Sequence, residues 1–180
     1  MILREGEEKA RVIFLVGARA AGKTSLGLQL AEALAYDFVD TDASLREMHG
    51  QTVAEIVDRL GWGGFRELES AALREAGRGF RRVVATGGGV VLAAGNRAFM
   101  RAAGFVLYLA APAAVLAARL AAAPESAQRP SLTGRQAEKE VAGVLAEREA
   151  LYREAAHRVI AADAPPARVL ADILESVKQF

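Results

Sequence analysis

Gly17-Ala18-Arg19-Ala20-Ala21-Gly22-Lys23-Thr24 spells G-x-x-x-x-G-K-T. A glycine-rich loop of this spacing lets backbone N–H groups converge on phosphate oxygens, and a helix N-terminus behind it adds the positive end of its dipole. Lys23 is placed to reach the β- and γ-phosphates of a nucleotide, and the Thr24 hydroxyl to serve as a magnesium ligand. The pattern needs its flanks, because a glycine-rich turn with a chance lysine would spell the same letters. Val12-Ile13-Phe14-Leu15-Val16 is a short apolar, β-branched run, as expected of a buried strand, and Leu26, Leu30 and Leu34 follow at helical spacing. A strand before and a helix after make the stretch a phosphate-binding loop.

Other residues suit chemistry beside it. Asp40 and Asp42 flank Thr41 at the end of a second apolar run. One carboxylate could hold magnesium through water and the other accept a hydroxyl proton or orient an acceptor. The bland alternative is that Asp42 caps the helix that starts at Ala43. Gly87-Gly88-Gly89 follows a third apolar run and permits close approach to a ligand, or is a flexible turn. Arg66 and Arg148, each taken alone, read as solvated surface arginines, as does the Arg81-Arg82 pair, which is given no role. His49 and His157 are isolated and show no metal-ligand spacing. Trp62, between glycines, is either core packing or a pocket wall.

The elements that must position these groups alternate. Strands are expected at residues 11–16, 38–39, 83–85, 105–109 and 158–160, and helices at 23–35, 52–60, 65–76, 96–103, 113–122, 138–155 and 168–177. A short helix is also expected from Ala43 to Met48. Thr52 and Glu55 are spaced as a capping box, the Gly61-Trp62-Gly63-Gly64 stretch breaks the helix behind it, and Leu68, Ala72 and Ala76 point inward. Residues 1–10 read as a solvated extension. Residues 123–135 are aperiodic, polar and hold two prolines, so a mobile lid is expected there. Strands alternating with helices predict an α/β fold, a parallel sheet covered on both faces. Ligands then collect beyond the carboxyl ends of the strands, which brings the 17–24 loop, Asp40, Asp42 and the 87–89 turn to one edge.

Composition excludes several classes. The 180 residues suit one domain, 52% hydrophobic content supplies a core, and 25% charged residues is ordinary. A net charge of +1 gives no global field toward nucleic acid or membrane. With no cysteine there is neither a disulfide framework nor a thiolate metal site, and a reducing cytosol is compatible. The first ten residues are charged, unlike a signal peptide, and the most apolar stretch is too short and too broken by Pro112 and Arg119 to span a bilayer. No internal repeat is present.

Together these segments resemble shikimate kinase. The resemblance runs from about Arg11 to the C-terminus and rests on the 17–24 loop, Phe38-Val39-Asp40-Thr41-Asp42, Thr52-Val53-Ala54-Glu55-Ile56-Val57, Gly64-Phe65-Arg66, Ala85-Thr86-Gly87-Gly88-Gly89, Arg129-Pro130 and Glu147-Arg148 with Leu151-Tyr152. Arg129-Pro130-Ser131-Leu132-Thr133-Gly134 and Tyr152-Arg153-Glu154-Ala155-Ala156-His157 look most like the shikimate kinase II subgroup. The resemblance implies a nucleoside-monophosphate-kinase-like three-layer fold with a five-stranded parallel sheet in a single domain, an acceptor-binding segment at about 40–70 and a lid at about 121–135. It implies ATP-dependent phosphorylation of the 3-hydroxyl of shikimate, on the route to chorismate and aromatic amino acids, by a cytoplasmic monomer. Gly17, Ala18, Arg19, Ala20, Ala21, Gly22, Lys23, Thr24 and Ser25, with Arg119 and Arg129, would hold ATP. Thr24 and Asp40 would serve Mg2+. Asp42, Arg66, Gly87, Gly88, Gly89 and Arg148 would bind shikimate, whose carboxylate suits the planar forks of two arginines. Lys23, Asp42 and Arg129 would carry catalysis, Arg129 from the lid.

Two positions depart from the family pattern. Ala20 stands where relatives usually carry glycine, a strained choice if the backbone there needs positive φ. Ser131 replaces an apolar residue or threonine. Rival readings are a kinase for another small acceptor, such as gluconate or a nucleoside monophosphate, and a catalytically dead ATP-binding module. Residues 43–80 are short on aromatics for stacking a base, and Lys23, Thr24, Asp40 and Asp42 are all present.

Overall fold

The protein is represented by a computed structural model that describes residues 12–122 and 137–180. Arg11, the 1–10 extension, residues 123–135 of the expected lid with Arg129 among them, and residue 136 lie outside the described residues. Among those described are five strands, β1 (Val12–Val16), β2 (Asp37–Asp40), β3 (Arg82–Ala85), β4 (Phe105–Ala110) and β5 (Arg158–Ala161). Seven α-helices accompany them: α1 (Lys23–Leu34), α2 (Thr41–His49), α3 (Val53–Gly77), α4 (Ala94–Ala103), α5 (Ala113–Ala122), α6 (Ala137–Ala155) and α7 (Pro166–Lys178). A short 3₁₀ turn at Val90–Leu92, not expected from the pattern, follows the three glycines.

Every strand pair is parallel, in the order β2-β3-β1-β4-β5. The chain lays β2 and β3 on one side of β1, then crosses to build β4 and β5 on the other. The reversal falls at β1, the place where open α/β sheets bind ligands beyond their carboxyl ends.

The alternation of side chains along each strand divides the core. Ile13, Leu15, Val83, Phe105, Leu107 and Leu109 pack with Leu26 and Leu30 of α1, Leu116 of α5 and Ile173 of α7. Val12, Phe14, Val16, Val84, Val106 and Tyr108 face the other way, onto Leu73 of α3, Met100 of α4 and Tyr152 of α6. Burial on both faces explains why β1, β4 and the 83–85 stretch of β3 read as continuous apolar runs, whereas the edge strands β2 and β5 are largely exposed or half-buried. Leu45, Val53, Ile56, Phe65 and Ala72 form a smaller core under α2 and α3.

Local signals set the helix ends. Thr52 Oγ1 accepts from the Glu55 amide at 3.2 Å and Glu55 Oε2 accepts from the Thr52 amide at 2.7 Å, so the capping box is present. The expected break at 61–64 is a kink: α3 runs on through Gly61, which alone leaves helical geometry at φ 70° and ψ 173°. Phe65, Glu69, Ala72, Leu73 and Ala76 then form the buried stripe, and Leu68 is only partly buried. Arg81 and Arg82 are not merely solvated. Arg82 Nη1 donates to the Ala76 carbonyl at 3.1 Å, serving the end of α3, and the Arg81 guanidinium lies 5.2 Å from the Tyr36 ring centre. Arg101 donates to the carbonyls of Glu154 at 3.2 Å and Ala156 at 2.9 Å, which fastens the C-terminal end of α6 to α4.

Candidate active site

The phosphate-binding loop turns from β1 into α1 through backbone angles that most residues avoid. Gly22 precedes the helix at φ 92°, so α1 begins without a side-chain cap and its first amides are left for another acceptor. Ala20 sits at φ 62°, the left-handed region in which a Cβ is strained. Arg119 supports this turn: its guanidinium donates to the Ala20 carbonyl at 3.4 Å and to the Ala162 carbonyl at 2.8 Å. Lys23 Nζ lies across the loop, donating to the carbonyls of Gly17 and Ala18, each at 2.8 Å. Ser25 donates to the Gly22 carbonyl at 3.2 Å.

Thr24 and Asp40 face one another, with the Thr24 hydroxyl donating to Asp40 Oδ2 at 2.7 Å. Asp40 Oδ1 accepts from the amides of Asp42 and Ala43. Asp40, rather than Asp42, is therefore the N-cap of α2, because β2 ends one residue before the helix begins. A hydroxyl and a carboxylate are hard oxygen donors. Among the described residues no cluster of three or more His, Cys, Asp or Glu forms a metal cage. Such a pair fits a cation that keeps several waters and takes phosphate oxygens, the habit of magnesium.

Beside the loop opens a solvent-open cleft of about 450 Å³, the solvent at its mouth included. Asp42, Arg66, the three glycines and Arg148 line it, as the sequence reading grouped them, and Arg19 of the loop stands in its wall. Arg66 and Arg148 are not solvated surface arginines. Arg148 is 8% exposed, and its Nη1 donates to the Gly88 carbonyl at 3.3 Å while its buried Nε makes no hydrogen bond. Arg66 donates to Glu69 Oε2 at 2.5 Å, and its guanidinium lies 5.4 Å from the Trp62 ring centre and 5.2 Å from that of Phe65. Trp62 is thus a cleft wall, packed edge-on against Phe65.

None of the three glycines has positive φ, and two of them, Gly87 and Gly89, are needed for room rather than for backbone angle. A Cβ on Gly87 would strike Glu69 Oε1, and one on Gly89 would strike the Arg66 guanidinium. The Gly87 amide donates to Thr41 Oγ1 at 3.2 Å, tying this turn to the Asp40–Asp42 segment. Asn96 donates to Ser70 Oγ and to the Val90 carbonyl, both at 3.0 Å, tying the far side of the turn to α3.

Glu69, buried at 1% exposure, was not anticipated. Burial raises its pKa above the usual carboxylate value, with the Asp42 charge adding; Arg66 and Arg148 oppose the shift. Three arginines against two carboxylates give the cleft an excess of positive charge, the complement of a small anion.

The shikimate kinase family model matches residues 19–178. A shikimate kinase 2 of Syntrophotalea carbinolica is 56% identical over 94% of this chain and 98% of its own length. One of Dickeya chrysanthemi is 52% identical over 92% of this chain and 95% of its own. Among solved structures, shikimate kinase from Acinetobacter baumannii in complex with shikimate superposes with a TM-score of 0.88 at 35% identity, covering 96% of this chain and 95% of that one.

Proposed function

This chain belongs to the shikimate kinase family, and on that premise we propose that it transfers the γ-phosphoryl group of ATP to the 3-hydroxyl of shikimate. The observation that carries the reading is the meeting of a phosphate-binding loop and an arginine-lined acceptor cleft at one sheet edge, with Arg19 of the loop in the cleft wall.

The chain's own residues supply positioning and charge. Loop amides and the α1 N-terminus hold the phosphates, and Lys23 exchanges its two carbonyl bonds for β- and γ-phosphate oxygens. Thr24 and Asp40 would hold Mg2+, which would supply charge neutralisation on the phosphates. Arg66 and Arg148 clamp the shikimate carboxylate, and Glu69 keeps Arg66 oriented by accepting one of its N–H groups. The carboxylate fixes the ring so that a hydroxyl meets Asp42, which accepts its proton as the oxygen attacks phosphorus. The Gly87, Gly88 and Gly89 backbone completes the acceptor wall. Arg119 braces the loop near the adenine end, and Arg129, outside the described residues, is assigned the role of lid arginine serving the phosphates from the 121–135 segment. The reading takes one 180-residue kinase domain, acting as a monomer in the cytoplasm, as the working unit, with an acceptor-binding segment at about 40–70.

Phosphorus and proton NMR of the product tests it. Purified protein with ATP and Mg2+ should place one phosphate on the 3-oxygen of shikimate. Phosphate at another hydroxyl, or hydrolysis of ATP alone, contradicts the assignment of the cleft.

A further inference from the structure

Tyr152 carries a hydroxyl into a place where phenylalanine would fill the same volume. It is completely buried, and its ring stacks on Tyr108 with centres 5.0 Å apart and planes 19° from parallel. A buried hydroxyl without a partner costs free energy, so its bond identifies its task. That bond runs to the Gly88 carbonyl at 2.5 Å. The same oxygen accepts from Arg148 Nη1 at 3.3 Å. Arg148 and Tyr152 stand one turn apart on α6, so one face of one helix delivers both donors. A carbonyl has two lone pairs, and here each meets a donor.

We propose that Tyr152 is a positioning residue for the acceptor site: its hydroxyl fixes the Gly88 peptide and leaves the Arg148 guanidinium poised toward the cleft. The inference rests on the reading of that cleft as the shikimate site. The longer Arg148 bond is the weaker of the two. Without Tyr152 the carbonyl would draw the guanidinium closer, and the arginine would have to leave that oxygen to meet a carboxylate. Burial pushes the Tyr152 pKa up to about 12, with Arg148 opposing, so the phenol keeps its proton and remains a donor throughout the working range. The support behind the ring is itself tied: the Tyr108 hydroxyl donates to Glu149 Oε2 at 3.3 Å, and Arg153 donates to Glu149 Oε1 at 2.9 Å.

Tyr152→Phe keeps the ring and its stack and deletes only the hydroxyl. Its KM for shikimate, and the Kd read without ATP from the fluorescence of Trp62 in the cleft wall, should rise about 5- to 10-fold. The kcat at saturating shikimate and the KM for ATP should stay within about 2-fold. Amide hydrogen exchange at residues 87–89 should quicken in the free protein. Tyr108→Phe, which loses the Glu149 bond but leaves Gly88 untouched, should match wild type in all of these. A Tyr152→Phe protein that melts earlier but binds shikimate normally would reduce the hydroxyl to a stabilising contact and overturn the proposal. So would an equal KM rise in Tyr108→Phe, which would place the effect in the tie between Tyr108 and Glu149 behind the ring rather than in the Gly88 bond. If wild type does not turn over shikimate, the functional reading falls, and exchange at 87–89 alone decides whether Tyr152 holds the peptide.

Discussion

Thr24 donates to one oxygen of Asp40 at 2.7 Å while the other oxygen of Asp40 caps α2 through the Asp42 and Ala43 amides, at 3.0 and 3.1 Å. One carboxylate thus joins the phosphate-binding loop to α2, whose Asp42 lines the cleft. Its two duties separate on substitution. Asp40→Asn keeps a good cap, so stability should change by less than about 1 kcal/mol. The magnesium concentration for half-maximal rate should rise about 10-fold or more, the scale of losing a metal-supporting group. Asp40→Ala should show the same magnesium defect with about 1 kcal/mol of lost cap besides. Rates against free magnesium, paired with urea melts, read both. Unchanged magnesium dependence in Asp40→Asn would remove it from the metal site.

Ala20 holds φ 62° in a loop where glycine would be unstrained. The left-handed conformation costs an L-residue about 1–2 kcal/mol, and the greater freedom of glycine in the unfolded chain returns about 0.4–1 of that. Ala20→Gly should therefore stabilise the protein by roughly 0.5–1 kcal/mol in a denaturant melt. A less stable variant would mean that the Arg119 contact holds the turn only when alanine limits it.

His157 predicts a pH dependence. Its Nδ1 accepts the Val106 amide at 3.1 Å, a bond open only to the unprotonated nitrogen. Burial lowers its pKa below 6.5, and the charges of Arg101 and Arg158 lower it further. The native state then binds this proton less readily than the unfolded chain. Its contribution to stability is fully present above about pH 6.5, the unfolded value, and is lost as pH falls through the lower folded value. Wild type should lose stability relative to His157→Asn between about pH 7 and pH 5 and run parallel to it above. Melts of both proteins across that range check the sign, and the opposite slope would contradict it.

Much of this was legible in the chain. The strand-loop-helix run around Gly22 and Lys23 and the Thr52–Glu55 box are local chemistry, and local chemistry survives into the fold. Glu69 was not legible, because a carboxylate one turn beyond an arginine on an amphipathic helix looks like any solvated i,i+3 pair. Only the packing of α3 against the glycine turn buries it. The alternative reading of Asp42 as a helix cap fails for a local reason: one residue of strand length decides which carboxylate meets the first amides of α2, and it is Asp40. The role of the three glycines was half legible. Their need for space was expected, but the groups that take the space at Gly87 and Gly89 are Glu69 and Arg66 of the protein itself.

Coupled ADP release tests the phosphoryl transfer most directly. Purified protein with ATP and Mg2+ is assayed without acceptor, then with shikimate, gluconate or AMP in turn. ADP should form rapidly with shikimate and only at a slow background rate otherwise. Lys23→Ala should nearly abolish that release while its circular dichroism matches wild type, since Lys23 offsets charge that develops on the transferring group. ADP release that ignores shikimate, or a folded Lys23→Ala protein with near-normal turnover, would contradict the assignment.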